Sequence, residues 1–278
     1  MRIAVLTSLP RPVVLPEDFL PRYLDRAGIP VTTIVARRVP LLRVLHAQAR
    51  TDHGVSRSLA AIGGALRSRL SPIARPPASR HPANPSRRIP ITYVDDHNSP
   101  SCTALLHSLK LDLLVLGGGT GIIRQHILDI PRIGTLGCHY GLLPRFRGVN
   151  VTEWAIFHDE PVGVSIFWVT PGVDVGDVVL QRPIAVMPGD TLARLRRKSA
   201  DEGKALLLEA IRMLMSGMAP HIAQRVEDGR QYFTMHPRLM RLVERKLADN
   251  NYTLLCGSRP TEDDRFRLLL TTYGGKAD

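Results

Sequence analysis

Cysteine is scarce. The 278 residues contain three, Cys102, Cys138 and Cys256, and no two of them form a CxxC pair. An odd, scattered set argues against a disulfide framework and a thiolate metal site, and it suits reduced thiols in the cytoplasm. Long apolar runs are also missing: none reaches 18 residues, so no membrane-spanning segment is expected. The opening run IAVLTSLP is broken at Pro10 and Pro12 and is followed by no small-residue cleavage site, so it reads as a buried strand rather than a signal peptide. Acidic residues are in deficit, 25 against 37 basic ones, for a net charge of +12. The deficit is local: residues 37–88 hold eleven Arg, no Lys and a single acid, Asp52. Such a stretch is either a solvated insertion or an anion-binding footprint, nucleic acid included.

What is present has the balance of a globular protein, 44% apolar and 22% charged. Residues 2–8 read as a strand, 16–27 as a helix opening at Pro16 and interrupted by Pro21, and 30–36 as a second strand. Strand, helix and strand in so short a span imply a βαβ unit and a parallel sheet. The segments 41–50 and 55–70 have helical character, and 71–90, with six prolines, reads as a loop. The alternation then resumes with strands at 91–96, 112–118 and 133–140 and helices at 99–110 and 123–129. Beyond these, 151–158 reads as a helix, 163–170 and 177–186 as strands, and 191–217 as a long amphipathic helix capped by Asp190. The expected fold is α/β, a Rossmann-like open, mostly parallel sheet flanked by helices. Residues 1–235 are expected to form the main domain with its Arg/Pro-rich insertion at 37–90, and 236–278 a short helical or irregular accessory extension.

Residues 133–181 concentrate glycine, proline and one histidine beyond what packing requires. The motifs are Gly137-Cys138-His139, Leu142-Leu143-Pro144, Phe146-Arg147-Gly148 and, further on, Asp174-Val175-Gly176-Asp177. A loop of this kind after the carboxyl end of a strand is where open α/β sheets bind ligands. The stretch resembles the folate-dependent formyltransferases, the family of methionyl-tRNA formyltransferase, glycinamide ribonucleotide transformylase and the sugar N-formyltransferases. That family's pattern is Asn-x-His-x-x-LLP-x-[YF]-RG followed by Asp-x-Gly-[DP]. A weaker resemblance runs from residue 1 to about 235, and it includes DLLVLGGGTGII at 112–123.

The resemblance implies transfer of a formyl group from 10-formyltetrahydrofolate, a co-substrate, to an amine, with no metal. His139 is the expected general acid/base and Asp174 its orienting partner, with Gly137 at the third catalytic position. Gly117, Gly118, Gly119, Thr120, Gly121, Ile122, Leu142, Val173 and Asp177 are expected to bind the folate. Arg145, Arg147, Gly148 and Asn150 are expected to bind the acceptor. The chemistry asks for these residue types on its own account. An amine attacking a formamide carbonyl needs a proton acceptor, a proton donor to the leaving nitrogen and stabilisation of an oxyanion. Histidine changes charge near neutral pH, and a carboxylate beside it can orient it and raise its pKa.

Two positions depart from the family. Its Asn is Gly137 here and its Ser is Gly141, which suggests extra room in the site. Removing one oxyanion donor typically costs a factor of about 10² to 10³. Thr135, Asn150 or a backbone N–H could stand in, the transferred group or donor could differ, or the protein could hold folate with little turnover. Cys138 beside His139 invites a nucleophile reading, but strand neighbours face opposite ways, which makes Cys138 a core residue.

Only 43 residues follow Met235, too few for the C-terminal barrel that tRNA-directed members carry, so a small-molecule amine is expected, an amino sugar nucleotide or a secondary-metabolite amine. A folate-binding protein, a hydrolase that releases formate, and a tRNA-directed or nucleic-acid-binding protein acting through 37–90 are the alternatives. No membrane partner is expected, and a homodimer stays open.

Overall fold

The computed structural model describes residues 1–9, 19–39 and 89–255. Within them β1 (Ile3–Leu9), α1 (Leu20–Arg26), β2 (Val31–Arg38) and β3 (Ile91–Val94) come first. Then follow α2 (Pro100–Leu109), β4 (Leu113–Leu116), α3 (Gln125–Leu128) and β5 (Gly134–His139). The remainder is β6 (Phe146–Gly148), α4 (Val151–Phe157), β7 (Gly163–Trp168), β8 (Val178–Pro183), α5 (Leu192–Met215), β9 (Arg230–Tyr232) and α6 (Pro237–Ala248). The expected helices at 41–50 and 55–70 and the proline-rich loop lie outside the described residues.

Seven strands form one sheet in the order β3-β2-β1-β4-β5-β7-β8. The first five run parallel, and β7 and β8 continue the sheet antiparallel. This is the mostly parallel, Rossmann-like sheet expected from the alternation of strands and helices. Both faces of β1 are covered, as its unbroken apolar sequence requires. Ile3 and Val5 face one core with Val31, Leu113, Val115, Leu24 of α1 and Leu206, Leu207 and Ile211 of α5. Ala4 and Leu6 face the other, with Val35, Leu114, Cys102 and Leu106 of α2, and Ile127 of α3. No helix of the described residues is long and apolar enough to cross a membrane.

Two local expectations change. The first helix starts at Leu20 rather than Pro16, with Phe19 extended before it (φ −62°, ψ 131°). Pro21 has no N–H to donate and fits without cost only in a first turn, so it marks the start rather than a kink. The cap of the long helix is Thr191, whose hydroxyl accepts the Arg194 N–H at 3.3 Å. Asp190 instead accepts the Met187 N–H at 2.8 Å and pairs with Lys198.

The accessory helix is not detached. Val243 and Leu247 of α6, with Met235, Tyr252 and Leu255, share a core with Phe146, Val151 and Ile156 of the β6–α4 region. The Tyr252 hydroxyl donates to the Glu160 carbonyl at 2.7 Å. The sequence boundary at 235 falls inside this cluster, so the segment to residue 255 braces the loop that carries the candidate site.

Candidate active site

Parallel pairing aligns the carboxyl ends of β1, β4 and β5, and at that edge stand His139, the last residue of β5, and the loop 117–122 that follows β4. His139 is 7% exposed. Its Nε2 lies 2.6 Å from the Phe146 carbonyl oxygen. A carbonyl only accepts, so Nε2 carries the proton in the neutral ring. Its Nδ1 lies 3.4 Å from Asp174 Oδ2. The same carboxylate oxygen accepts the Gly148 N–H at 2.8 Å.

The β6 backbone therefore holds both members of the pair, one through Phe146 and the other through Gly148. Gly148 is required there: its φ is +98°, and a Cβ would stand 2.1 Å from the Tyr232 carbonyl oxygen of β9. Asp174 is itself left-handed (φ 54°), and its carbonyl accepts from Gln224 Nε2 at 3.1 Å; that amide also bonds the Gly176 carbonyl.

Burial pushes the His139 pKa below its ordinary value of 6.5, and the Asp174 charge and the Phe146 carbonyl oppose that push. The ring is thus held neutral but poised beside a carboxylate that stabilises it once it takes a proton.

The loop between them is set from β7 and β8. Ser165, fully buried, donates to the Gly141 carbonyl at 2.6 Å and accepts the Leu143 N–H at 3.1 Å. Gln181 Nε2 donates to the Leu143 carbonyl at 2.6 Å. Ser165, Gln181 and Gln224 escaped sequence reasoning because polar residues within strands and loops give no signal of which distant backbone they will meet.

A sequence profile for the family described as Formyl transferase matches residues 76–211. The methionyl-tRNA formyltransferase of Methylacidiphilum infernorum is 34% identical over 128 residues, covering 46% of this chain and 40% of that protein. The human cytosolic 10-formyltetrahydrofolate dehydrogenase is 36% identical over 135 residues, 48% of this chain and 15% of that protein. The chain spans less than half the length of the curated relatives it matches. The fold is similar to glycinamide ribonucleotide transformylase 1 of Symbiobacterium toebii, with TM-score 0.54 and 23% identity over 81% of this chain and 94% of that one. It is also similar to a sugar N-formyltransferase of a Shewanella species, with TM-score 0.53 and 15% identity over 89% of this chain and 88% of that one.

Residues 76–211, just under half of the chain, are thus similar to the formyl transferase family. Within this site the expected residues fall into three groups. The first is the dyad with its frame: His139, Asp174 and Gly148. The second is the glycine loop, in which Gly118, Gly119 and Gly121 take positive φ values of 93°, 67° and 71°. The loop is pinned from the neighbouring strands. Thr7 Oγ1 donates to the Gly118 carbonyl at 3.2 Å, and Ser8 Oγ and Arg37 Nη2 donate to the Gly119 carbonyl at 2.6 and 3.1 Å. Asn98 Nδ2 donates to the Ile122 carbonyl at 2.9 Å, and Ile122 itself is 78% exposed. Gly117 packs against Val5 and Leu6 of β1, and Thr120 is buried.

The third group has other partners. Arg145 forms an ion pair with Glu160. Asn150 caps α4 from a left-handed conformation, and its Oδ1 accepts the Met235 N–H at 3.0 Å. Asp177 Oδ2 lies 3.2 Å from His221 Nδ1, and that ring stacks on Trp168. The Leu142 side chain covers Gly163, and Val175 rather than Val173 packs against Gly172. Val173 is half-buried in the loop before Asp174.

The idea of extra room does not survive. A Cβ on Gly137 would meet Phe167 Cε1 at 2.7 Å and Val169 Cγ2 at 3.0 Å. One on Gly141 would meet His139 Nε2, the Phe146 carbonyl and Val151, each at 3.0 Å. The apolar Phe167 ring fills the space beside residue 137, and Gly137 brings only backbone to β5. Thr135 faces the same side of β5 but is buried four residues back, about 13 Å along the strand from His139, beyond direct reach of its ring. Cys138 faces the opposite way, with Sγ against Gly203 of α5, and burial raises its thiol to about 12. It is a packing residue and not a nucleophile. No group of metal-ligating side chains occurs among the described residues.

Proposed function

We propose that this protein moves a formyl group from 10-formyltetrahydrofolate to the amine of a small acceptor, with His139 as general acid/base and Asp174 as its orienting carboxylate. The observation that carries the reading is the pairing of buried His139 with half-buried Asp174 at 3.4 Å, each held by the β6 backbone at the carboxyl edge of the parallel sheet. The folate would supply the activated formyl carbon, which becomes tetrahedral as the amine adds and returns to a trigonal formamide as the folate nitrogen leaves with a proton. With Nε2–H committed to Phe146, His139 offers the Nδ1 lone pair to the amine proton. The resulting imidazolium faces Asp174 and returns that proton to the leaving nitrogen. The glycine loop fits a flat ring: its positive-φ backbone sits at the strand ends, and at Gly118 nothing lies within 4 Å of an added Cβ. An amino sugar nucleotide or a secondary-metabolite amine is the acceptor class we favour, in a reducing, cytoplasmic setting that suits the free thiols of Cys102 and Cys138.

Calorimetric titration with 5-formyltetrahydrofolate, a stable stand-in for the donor, tests the reading. Micromolar binding by wild type and by His139→Ala, with transfer from 10-formyltetrahydrofolate lost only in the variant, is the expected result. Absence of folate binding would refute it. Formate release at an undiminished rate without any amine would reassign the acceptor to water.

A further inference from the structure

Buried charges in proteins are paired, because a charge taken out of water without a partner is costly. Two buried charged residues of the described chain obey this. Glu153, 2% exposed, is paired with Arg196, and Asp190, 3% exposed, with Lys198. Arg147 does not. It is 8% exposed, its Nε is sealed off with no hydrogen-bond partner, and its guanidinium forms no ion pair among the described residues. A guanidinium cannot shed its charge at any ordinary pH, so neutralisation is no escape.

Its position says what it is for. Arg147 is the middle residue of β6. Phe146 before it packs into the core, stacked on Tyr232 with centroids 5.2 Å apart, and strand alternation sends Arg147 to the other side. The same backbone carries the dyad: the Phe146 carbonyl holds His139 and the Gly148 N–H holds Asp174. Arg147 therefore sits on the same three-residue strand that fixes the proton-transferring ring and its carboxylate. In a folate the glutamate carboxylates stand a whole benzoyl ring away from the nitrogen that carries the formyl group. On a small amine an acidic group stands only a few bonds from the nucleophile. Arg145, the other arginine of the loop, is already taken by Glu160.

We propose that Arg147 receives the acidic group of the acceptor, so that the substrate is an amine bearing a carboxylate or a phosphate. This rests on the formyl-transfer reading above. Its fork of donors suits two-point binding of either oxyanion. Inorganic phosphate, 5-formyltetrahydrofolate and 5-formyltetrahydropteroate, which lacks the glutamate, are titrated into the full chain by calorimetry. Wild type, Arg147→Met and Arg147→Lys are compared, the lysine variant keeping the charge should the methionine variant misfold. Loss of a charge-assisted contact is expected to weaken phosphate binding by about 10- to 100-fold in Arg147→Met and less in Arg147→Lys. Affinity for 5-formyltetrahydrofolate is expected to stay within about twofold, since the folate does not use this group in the present assignment. Phosphate binding unchanged by Arg147→Met overturns the proposal. So does a variant that loses 5-formyltetrahydrofolate but keeps 5-formyltetrahydropteroate, because Arg147 would then hold the glutamate. A wild-type protein that takes phosphate through Arg147 but no folate refutes the formyl-transfer reading and leaves the anion seat standing.

Discussion

Restoring the family's asparagine at position 137 is expected to harm this protein. The Cβ alone would stand 2.7 and 2.9 Å from Phe167 Cε1 and Cζ and 3.0 Å from Val169 Cγ2. Phe167 is 5% exposed and packed with Leu143, Val178 and Val169, so its ring has no open space to swing into. Overpacking of this kind costs about 1–3 kcal/mol. A carboxamide buried without partners adds about 1–3 kcal/mol more. Gly137→Asn is therefore expected to lose about 2–6 kcal/mol, roughly 4–12 °C in melting temperature at about 2 °C per kcal/mol for a chain of this size. Phe167→Ala alone leaves a cavity and costs about 3–5 kcal/mol. In the double variant the carboxamide occupies that cavity, so the two losses should fall short of additivity by at least about 1 kcal/mol. Urea unfolding of the four proteins gives the cycle. Single-turnover rates with 10-formyltetrahydrofolate show whether the reopened amide speeds transfer. A Gly137→Asn protein that melts with wild type, or strictly additive losses, would refute the assignment of that space to Phe167.

Four further outcomes follow from the site. His139→Ala should lower the single-turnover rate by about 10²-fold or more. It should also cost about 1–3 kcal/mol in urea unfolding, because the Phe146 carbonyl loses its donor; a rate above about a tenth of wild type contradicts the assigned role. Burial sets the His139 pKa below 6.5, so the folded protein favours the neutral ring and the unfolded chain binds more protons below that pH. The stability tied to the neutral ring is present above pH 6.5 and is lost as pH falls through the folded value. The acid limb of kcat/KM should lie below 6.5 for the same reason. Asp174→Asn removes a charge that raises the ring's pKa, so a nuclear magnetic resonance titration of His139 should shift further to acid; an alkaline shift overturns this account. Gly148→Ala forces a Cβ to 2.1 Å from the Tyr232 carbonyl at a φ of +98°, and should separate β6 from β9 and abolish activity even where circular dichroism shows the main sheet intact.

Much of the frame was legible in the chain. Runs such as IAVL, LLVL and GVSIFW are apolar, short and bounded by glycine, proline or polar turns, and each became a strand of the sheet. The spacing of glycine and proline around His139 and Asp174 marked the motif, because a sharp loop at a strand end needs those residues wherever the rest of the chain lies. Helix ends were less legible. Asp190 and Thr191 are both good caps, and the choice between them fell to Lys198, eight residues on, which draws the carboxylate away. Gly137 read as space because a sequence shows a missing side chain but not its neighbour. The antiparallel pairing of β5 with β7 sets Gly137 opposite Phe167 and fills that space with a ring. Arg145 and Arg147 looked alike, two arginines flanking one phenylalanine. Strand alternation and a glutamate fifteen residues away separated them, one paired at the surface and one buried with no counter-charge among the described residues. Local pattern determined where the chain turns and which elements form, since backbone preference and the apolar period act over a few residues. Long-range strand pairing alone decided which side chains meet, and that is where the site acquires its charge, its closure and its chemistry.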